Sequence, residues 1–234
     1  DMYYEDDVDI QFSGNENPCV METTIKAITT NVSLHNNKAL LLSPYIYDWT
    51  IMGYDDHLIT EYLNEQLPNY GFETTYKVNR KVEDQNITME DFKNFSNYGL
   101  IVVLSHGNLF KLGVNTMNTG VKVTKELNEK YADELKSLAI ITSSTINSDK
   151  NHYLLTSKWF ENQEKKAGTL VYFSGCYSLQ NSINCLSTSI ISESNSGYVG
   201  WNNKTYPFFT SKYDRHFFDR LLKYAILIID NKHG

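Results

Sequence analysis

Three short runs without a charged residue constrain this chain more than any other feature: Ala39–Leu42, Leu100–Leu104 and Leu170–Phe173. They lack the polar/apolar alternation of a half-exposed strand, so they suit strands buried on both faces. Helical patterns lie between them. Leu58, Ile59, Tyr62, Leu63 and Leu67 share one helix face until Pro68-Asn69-Tyr70-Gly71 stops it. Phe72–Val78 has the Thr, Tyr and Val content of a strand. Thr88 with Asp91 three residues on reads as a helix-start cap, followed by Met89, Phe92 and Phe95. Strand, helix, strand, helix, strand with short connections predicts an open parallel sheet covered by helices on both faces.

Further along, residues 109–124 read as a hairpin whose polar turn is Asn115-Thr116-Met117-Asn118-Thr119-Gly120. Leu127, Tyr131, Leu135 and Leu138 give a helix over 125–138, and 156–163 gives another. After Leu170–Phe173 a helix is expected from about Tyr177 to Ser192. Gly197–Trp201 then supplies a sixth strand and 213–224 an amphipathic helix with Phe217, Phe218, Leu221 and Leu222. The expected whole is α/β, with a mostly parallel six-stranded sheet in one domain over 38–234. The first 37 residues, acidic and then Thr-rich, read as an extension. With 234 residues, 41% of them apolar, the chain can bury a core.

Composition removes several classes of function. Lys plus Arg is 21 against Asp plus Glu 28, a net charge of −7, and no basic stripe is present, which argues against nucleic acid as a partner. The apolar runs are far shorter than the ~20 residues of a membrane-spanning helix. No charged-then-apolar leader opens the chain, and it starts at Asp1 as a trimmed product would. Cys19, Cys176 and Cys185 are odd in number and widely spread, so no disulfide framework is expected. His35, His57, His152, His216 and His233 have no i,i+4 or Cys-x-x-Cys companions, so no metal site is expected. Asp55-Asp56 and the Glu5–Asp9 run read as solvated acids rather than calcium ligands. Sequons at Asn31, Asn86, Asn94 and Asn203 are what so Asn-rich a chain yields by chance, and the compartment stays open.

In open parallel sheets the working site lies at the carboxyl ends of the strands. Leu104 is followed by Ser105-His106-Gly107, and Phe173 by Ser174-Gly175-Cys176. If these two strands are parallel neighbours, an imidazole and a thiol meet at one edge. The imidazole would then accept the thiol proton and leave a nucleophilic thiolate. Gly107 would let its bare N–H approach a substrate carbonyl and, with the N–H of Cys176, form an oxyanion hole. A helix starting at Cys176 would favour the thiolate further.

The blocks Leu-Ile-Val-Val-Leu-Ser-His106-Gly107 and Leu-Val-Tyr-Phe-Ser-Gly-Cys176, with the later Gly-Tyr-Val-Gly-Trp201, resemble those of caspase-fold (clan CD) cysteine peptidases. The pattern is nearest to the clostripain-like and CHAT-type proteases and covers residues 38–224. The resemblance implies a caspase-like three-layer α-β-α sandwich and a cysteine endopeptidase that works through a thioester and needs no cofactor. It implies that Cys176 attacks the scissile carbonyl, that His106 is the general acid/base, and that the backbone of Gly107 and Cys176 holds the oxyanion. Ser174, Gly175, Gly200 and Trp201 fall where the family binds substrate. Ser174 replaces the acid of clostripain-like enzymes and the glutamine of caspases, so the P1 residue stays open. The implied partner is a protein or peptide substrate. Thr142–Asn151, polar and between the dyad residues, is expected as an exposed loop open to self-processing. Two alternatives stand beside the peptidase: a pseudo-protease that binds a partner, and a thiol transpeptidase or ligase.

Overall fold

The structure, a computed structural model, describes residues 34–46, 59–81, 83–110, 114–145, 148–179, 186–191, 196–201, 204 and 213–223. Expectations for the extension up to residue 33 with Cys19, for Asp55-Asp56, for Cys185 and for Asn202-Asn203 fall outside these residues.

The three apolar runs form the middle of one sheet. It comprises, in spatial order, β2 (Glu73–Val78), β1 (Lys38–Ser43), β3 (Leu100–Leu104), β8 (Leu170–Ser174) and β9 (Gly197–Val199), and every pairing is parallel. All of β3 and β8, and all of β1 after Lys38, are buried, as a sheet covered on both faces demands. Alternation along each strand splits the side chains between two cores. Leu40, Leu42, Ile101, Val103, Val171 and Phe173 face one layer, with α2 (Met89–Lys93), α5 (Ser157–Glu161) and α6 (Leu186–Ile190). Leu41, Val102, Leu104 and Tyr172 face the other, with α1 (Ile59–Gln66) and the helix over 213–223, α7. The fold is thus α/β with helices on both faces. His35, Asn36 and Asn37 already bond to Gly168, Gly99 and Glu73, so chain contacts with the sheet begin before Lys38.

Among the described residues the parallel sheet has five strands, where six were expected. A separate antiparallel sheet, ordered β4-β5-β7-β6, is built from β4 (Gly107–Phe110), β5 (Val114–Lys122), β7 (Ser148–Leu155) and β6 (Ile140–Thr145). The hairpin expected over 109–124 is present as β4 and β5, but its polar stretch is no turn. Asn115–Gly120 runs buried through the middle of β5. Asn118 and Thr119 find tertiary partners there, the Asn118 carboxamide accepting the Tyr45 hydroxyl and the Thr119 hydroxyl donating to the Tyr153 carbonyl at 2.7 Å. The expected loop over 142–151 is also corrected. Its described residues, 142–145 and 148–151, belong to β6 and β7, paired in register from Ile140↔Leu155 to Ser144↔Asn151.

The helix expected over 125–138 breaks at Tyr131 into α3 (Lys125–Lys130) and α4 (Ala132–Lys136). At α2 the expected cap is present: the Asp91 carboxylate accepts the Thr88 N–H at 2.8 Å and pairs with the Lys77 ammonium at 2.6 Å. Asp91→Ala loses both contacts. It is expected to cost about 1–2 kcal/mol, read from the urea unfolding midpoint at unchanged slope.

Candidate active site

Register brings the two candidate blocks together. Leu104 of β3 lies opposite Ser174 of β8, and the Ser105 N–H donates to the Ser174 carbonyl at 3.1 Å. The chains that leave these strand ends therefore leave side by side, carrying His106 and Cys176 at the carboxyl edge of the sheet. Both residues are partly exposed, while the strands behind them are buried. Contact between the exits is close enough to dictate two glycines. A Cβ at position 107 would overlap the carbonyl oxygen of Cys176 and stand 3.2 Å from its nitrogen. A Cβ at 175 would lie 2.6 Å from the Phe173 ring and 2.7 Å from the Ser105 carbonyl oxygen. Both glycines are thus required by backbone touching backbone.

His106 is held from its own side by residues that sequence reasoning did not single out. The ring of Tyr45, in the turn after β1, meets the His106 imidazole edge-on with centroids 4.9 Å apart. The Tyr45 hydroxyl donates to Asn118 Oδ1 at 2.5 Å. The backbone of Asn118 completes the frame: its N–H donates to the His106 carbonyl at 3.0 Å, and its carbonyl accepts the Ser105 hydroxyl at 2.5 Å. Asn118 thereby fixes Ser105, His106 and Tyr45 at once. Its position inside an apparent turn hid it. A carboxamide in the middle of a strand becomes informative only when its partners, 73 residues away for Tyr45, are known.

On the cysteine side, the expected helix start at Cys176 is replaced by a turn over 176–179, and among the described residues the next helix is α6. The helix-dipole argument for the thiolate therefore lapses. Tyr177, directly after the cysteine, has φ +57, a left-handed conformation that is uncommon for a residue with a side chain and characteristic of functional turns. Ser178 clamps this turn. Its hydroxyl donates to the Phe173 carbonyl at 2.9 Å and accepts the Trp201 N–H at 2.7 Å, while its carbonyl accepts the Tyr198 hydroxyl. The Leu179 N–H donates to the Trp201 carbonyl at 2.8 Å. Gly200 and Trp201 are thus brought to the turn that carries Cys176, and the Trp201 ring is buried beside Tyr213. Ser174 is buried and turned inward, its hydroxyl donating to Asp214 at 2.6 Å.

Asp214, on α7, is fully buried, and its second oxygen accepts the Tyr172 hydroxyl. Burial pushes its carboxyl from the ordinary 3.8 up to about 7, against the two hydrogen bonds, which favour the charged form. Tyr172 is raised well above its ordinary value, first by burial and then by the neighbouring carboxylate. The folded state thus binds the Asp214 proton more tightly than the unfolded chain does. That contribution to stability is fully present below pH ~4 and is lost as pH rises through ~7. Thermal unfolding midpoints should fall across that window in the wild type, and the fall should be shallower in Asp214→Asn.

Among the described residues no group of three or more His, Cys, Asp or Glu is placed to hold a metal ion, and no helix is long and apolar enough to cross a membrane. Compared with models of known families, with curated proteins and with solved structures, the chain matches none. Fold and site together define an α/β protein that presents a histidine and a cysteine from adjacent, parallel strand ends.

Proposed function

We propose that the protein is a cysteine endopeptidase of caspase-like fold acting through His106 and Cys176. The observation that carries this reading is the β3–β8 pairing, which puts the two residues beyond neighbouring strand ends with Gly107 against the backbone of Cys176. The strand order β2-β1-β3-β8-β9, with helices on both faces and the antiparallel sheet inserted after His106, agrees with a three-layer α-β-α sandwich of that kind.

In this mechanism His106 takes the thiol proton and the Cys176 sulfur attacks the scissile carbonyl carbon. The backbone N–H groups of Gly107 and Cys176 stabilise the oxyanion. Collapse of the tetrahedral adduct breaks the C–N bond, and His106 returns the proton to the departing amine. Water, activated by the same imidazole, then hydrolyses the thioester and restores the thiol. Tyr45 and Asn118 keep the ring in place, and Ser178 keeps the nucleophile turn against β9.

The test is labelling by peptidyl acyloxymethyl ketones that vary at P1, with the modified residue located by mass spectrometry. Labelling of Cys176 that vanishes in His106→Ala supports the peptidase and identifies the preferred P1 residue. A folded protein whose Cys176 reacts with none of the probes overturns it in favour of a binding module. A product joined to an added amine nucleophile would assign the thioester to a transpeptidase instead.

A further inference from the structure

We infer that Asp214 is a positioning residue for the nucleophile: from α7 its carboxyl holds Tyr172 and Ser174 of β8, and so sets where that strand releases Cys176. The inference rests on the reading of Cys176 as the nucleophile and adds the group that holds it in place. Asp214 is the one carboxylic acid among the buried residues described, and it lies in the apolar layer formed by Leu41, Leu104, Val199 and Phe218. Burial of a carboxyl there costs free energy that an apolar side chain of similar size would avoid. Packing alone therefore does not explain it. What the carboxyl supplies is two oriented acceptors, one for each inward-facing polar residue of β8.

Its grip reaches the site with little slack. Ser174 is two residues before Cys176, and the intervening Gly175 is wedged between the Phe173 ring and the Ser105 carbonyl. A shift of Ser174 toward or away from α7 is thus passed to the cysteine and to Gly107, which rests on it. Among the described residues, Tyr172 is the titratable group whose hydroxyl reaches Asp214. Arg215 and Asp219 of the same helix are engaged by Tyr62 of α1, the first over its ring at 4.6 Å and the second accepting its hydroxyl. His216 and Arg220 are exposed, and α1, β3 and β9 contribute Ile59, Leu63, Val102, Leu104 and Val199 to this layer. The carboxyl is therefore held largely neutral below pH ~7, the state in which it fits an apolar layer; ionisation above that strengthens its hydrogen bonds to Tyr172 and Ser174 while placing a charge in that layer, so the joint between α7 and β8 changes across this range.

The experiment uses the full chain and the variants Asp214→Asn, Ser174→Ala, their combination, and Tyr62→Phe. Two readouts are taken: the pH profile of Cys176 alkylation by iodoacetamide, and kcat and KM on whichever peptide the labelling study identifies. Alkylation needs no turnover, so it still reports if the peptidase reading fails. Asp214→Asn should change the alkylation profile between roughly pH 6 and 8 and lower kcat by about tenfold or more, with KM within about threefold. Ser174→Ala should do the same, and the double variant should be no worse than either single one, because both break one joint. Tyr62→Phe, which loosens the same helix elsewhere, should lower the unfolding midpoint and leave the profile as in the wild type. If Asp214→Asn does not fold, Ser174→Ala against Tyr62→Phe makes the same comparison. A wild-type profile in a folded Asp214→Asn or Ser174→Ala variant overturns the inference. An effect confined to KM would overturn it too, and would make the pair a substrate pocket. A change shared by Tyr62→Phe would reduce it to general stability.

Discussion

Cys176→Ala should abolish hydrolysis of a peptide that the wild type cleaves, and His106→Ala should lower kcat by about a thousandfold or more. The two losses differ in kind. Without sulfur there is no thioester, so the residual rate reflects only whatever the oxyanion donors and binding do for attack by water. Without imidazole the thiol remains but lacks its proton acceptor, so acylation is slowed rather than abolished. The double variant should be no worse than Cys176→Ala, since the histidine acts through the sulfur. Both side chains are partly exposed, so neither substitution should move the unfolding midpoint by more than a degree or two. Single-turnover kinetics with mass detection of the acyl-enzyme checks the scheme. An unchanged rate in folded Cys176→Ala would remove this cysteine from the reaction.

The parallel sheet was legible because it is written in local pattern. Leu100–Leu104 and Leu170–Phe173 carry no charged residue and are buried along their length, and only a strand covered on both sides tolerates that. The two glycines beside the dyad are legible as exceptions to that pattern, although their cause, the touching backbones at Cys176 and Ser105, is a tertiary contact that no local pattern encodes. The antiparallel sheet was misread for a physical reason. Asn115–Gly120 carries the residues that form turns when water satisfies them, but here Tyr45 and Ser105 engage Asn118, Tyr153 engages Thr119, and the stretch stays extended inside the protein. The same holds for 142–151, whose described residues are polar yet paired as strands β6 and β7. Asp214 was overlooked because an aspartate at the start of an amphipathic helix ordinarily reads as a cap or a solvated charge. Its partners are 40 and 42 residues earlier in the chain, and nothing local marks it as buried.

Gly107→Ala is expected to be the most damaging single methyl group that can be added to the site. Its Cβ would overlap the Cys176 carbonyl oxygen, a backbone atom that no rotamer change can move aside. Relief requires β3 and β8 to separate at their carboxyl ends, which pulls against the Ser105–Ser174 hydrogen bond and the His106–Asn118 bond together. The expected cost is about 3 kcal/mol or more, comparable to overpacking a rigid core. Gly71→Ala provides the control. Its Cβ would meet nothing within 4 Å, and only the φ of +78 opposes it, so about 1 kcal/mol is expected. Differential scanning calorimetry separates the two variants, and iodoacetamide kinetics at Cys176 shows whether the surviving fold of Gly107→Ala still presents the thiol as the wild type does. Equal unfolding midpoints for the two variants would mean that the exits of β3 and β8 do not touch, and the geometry that joins His106 to Cys176 would fall with that contact.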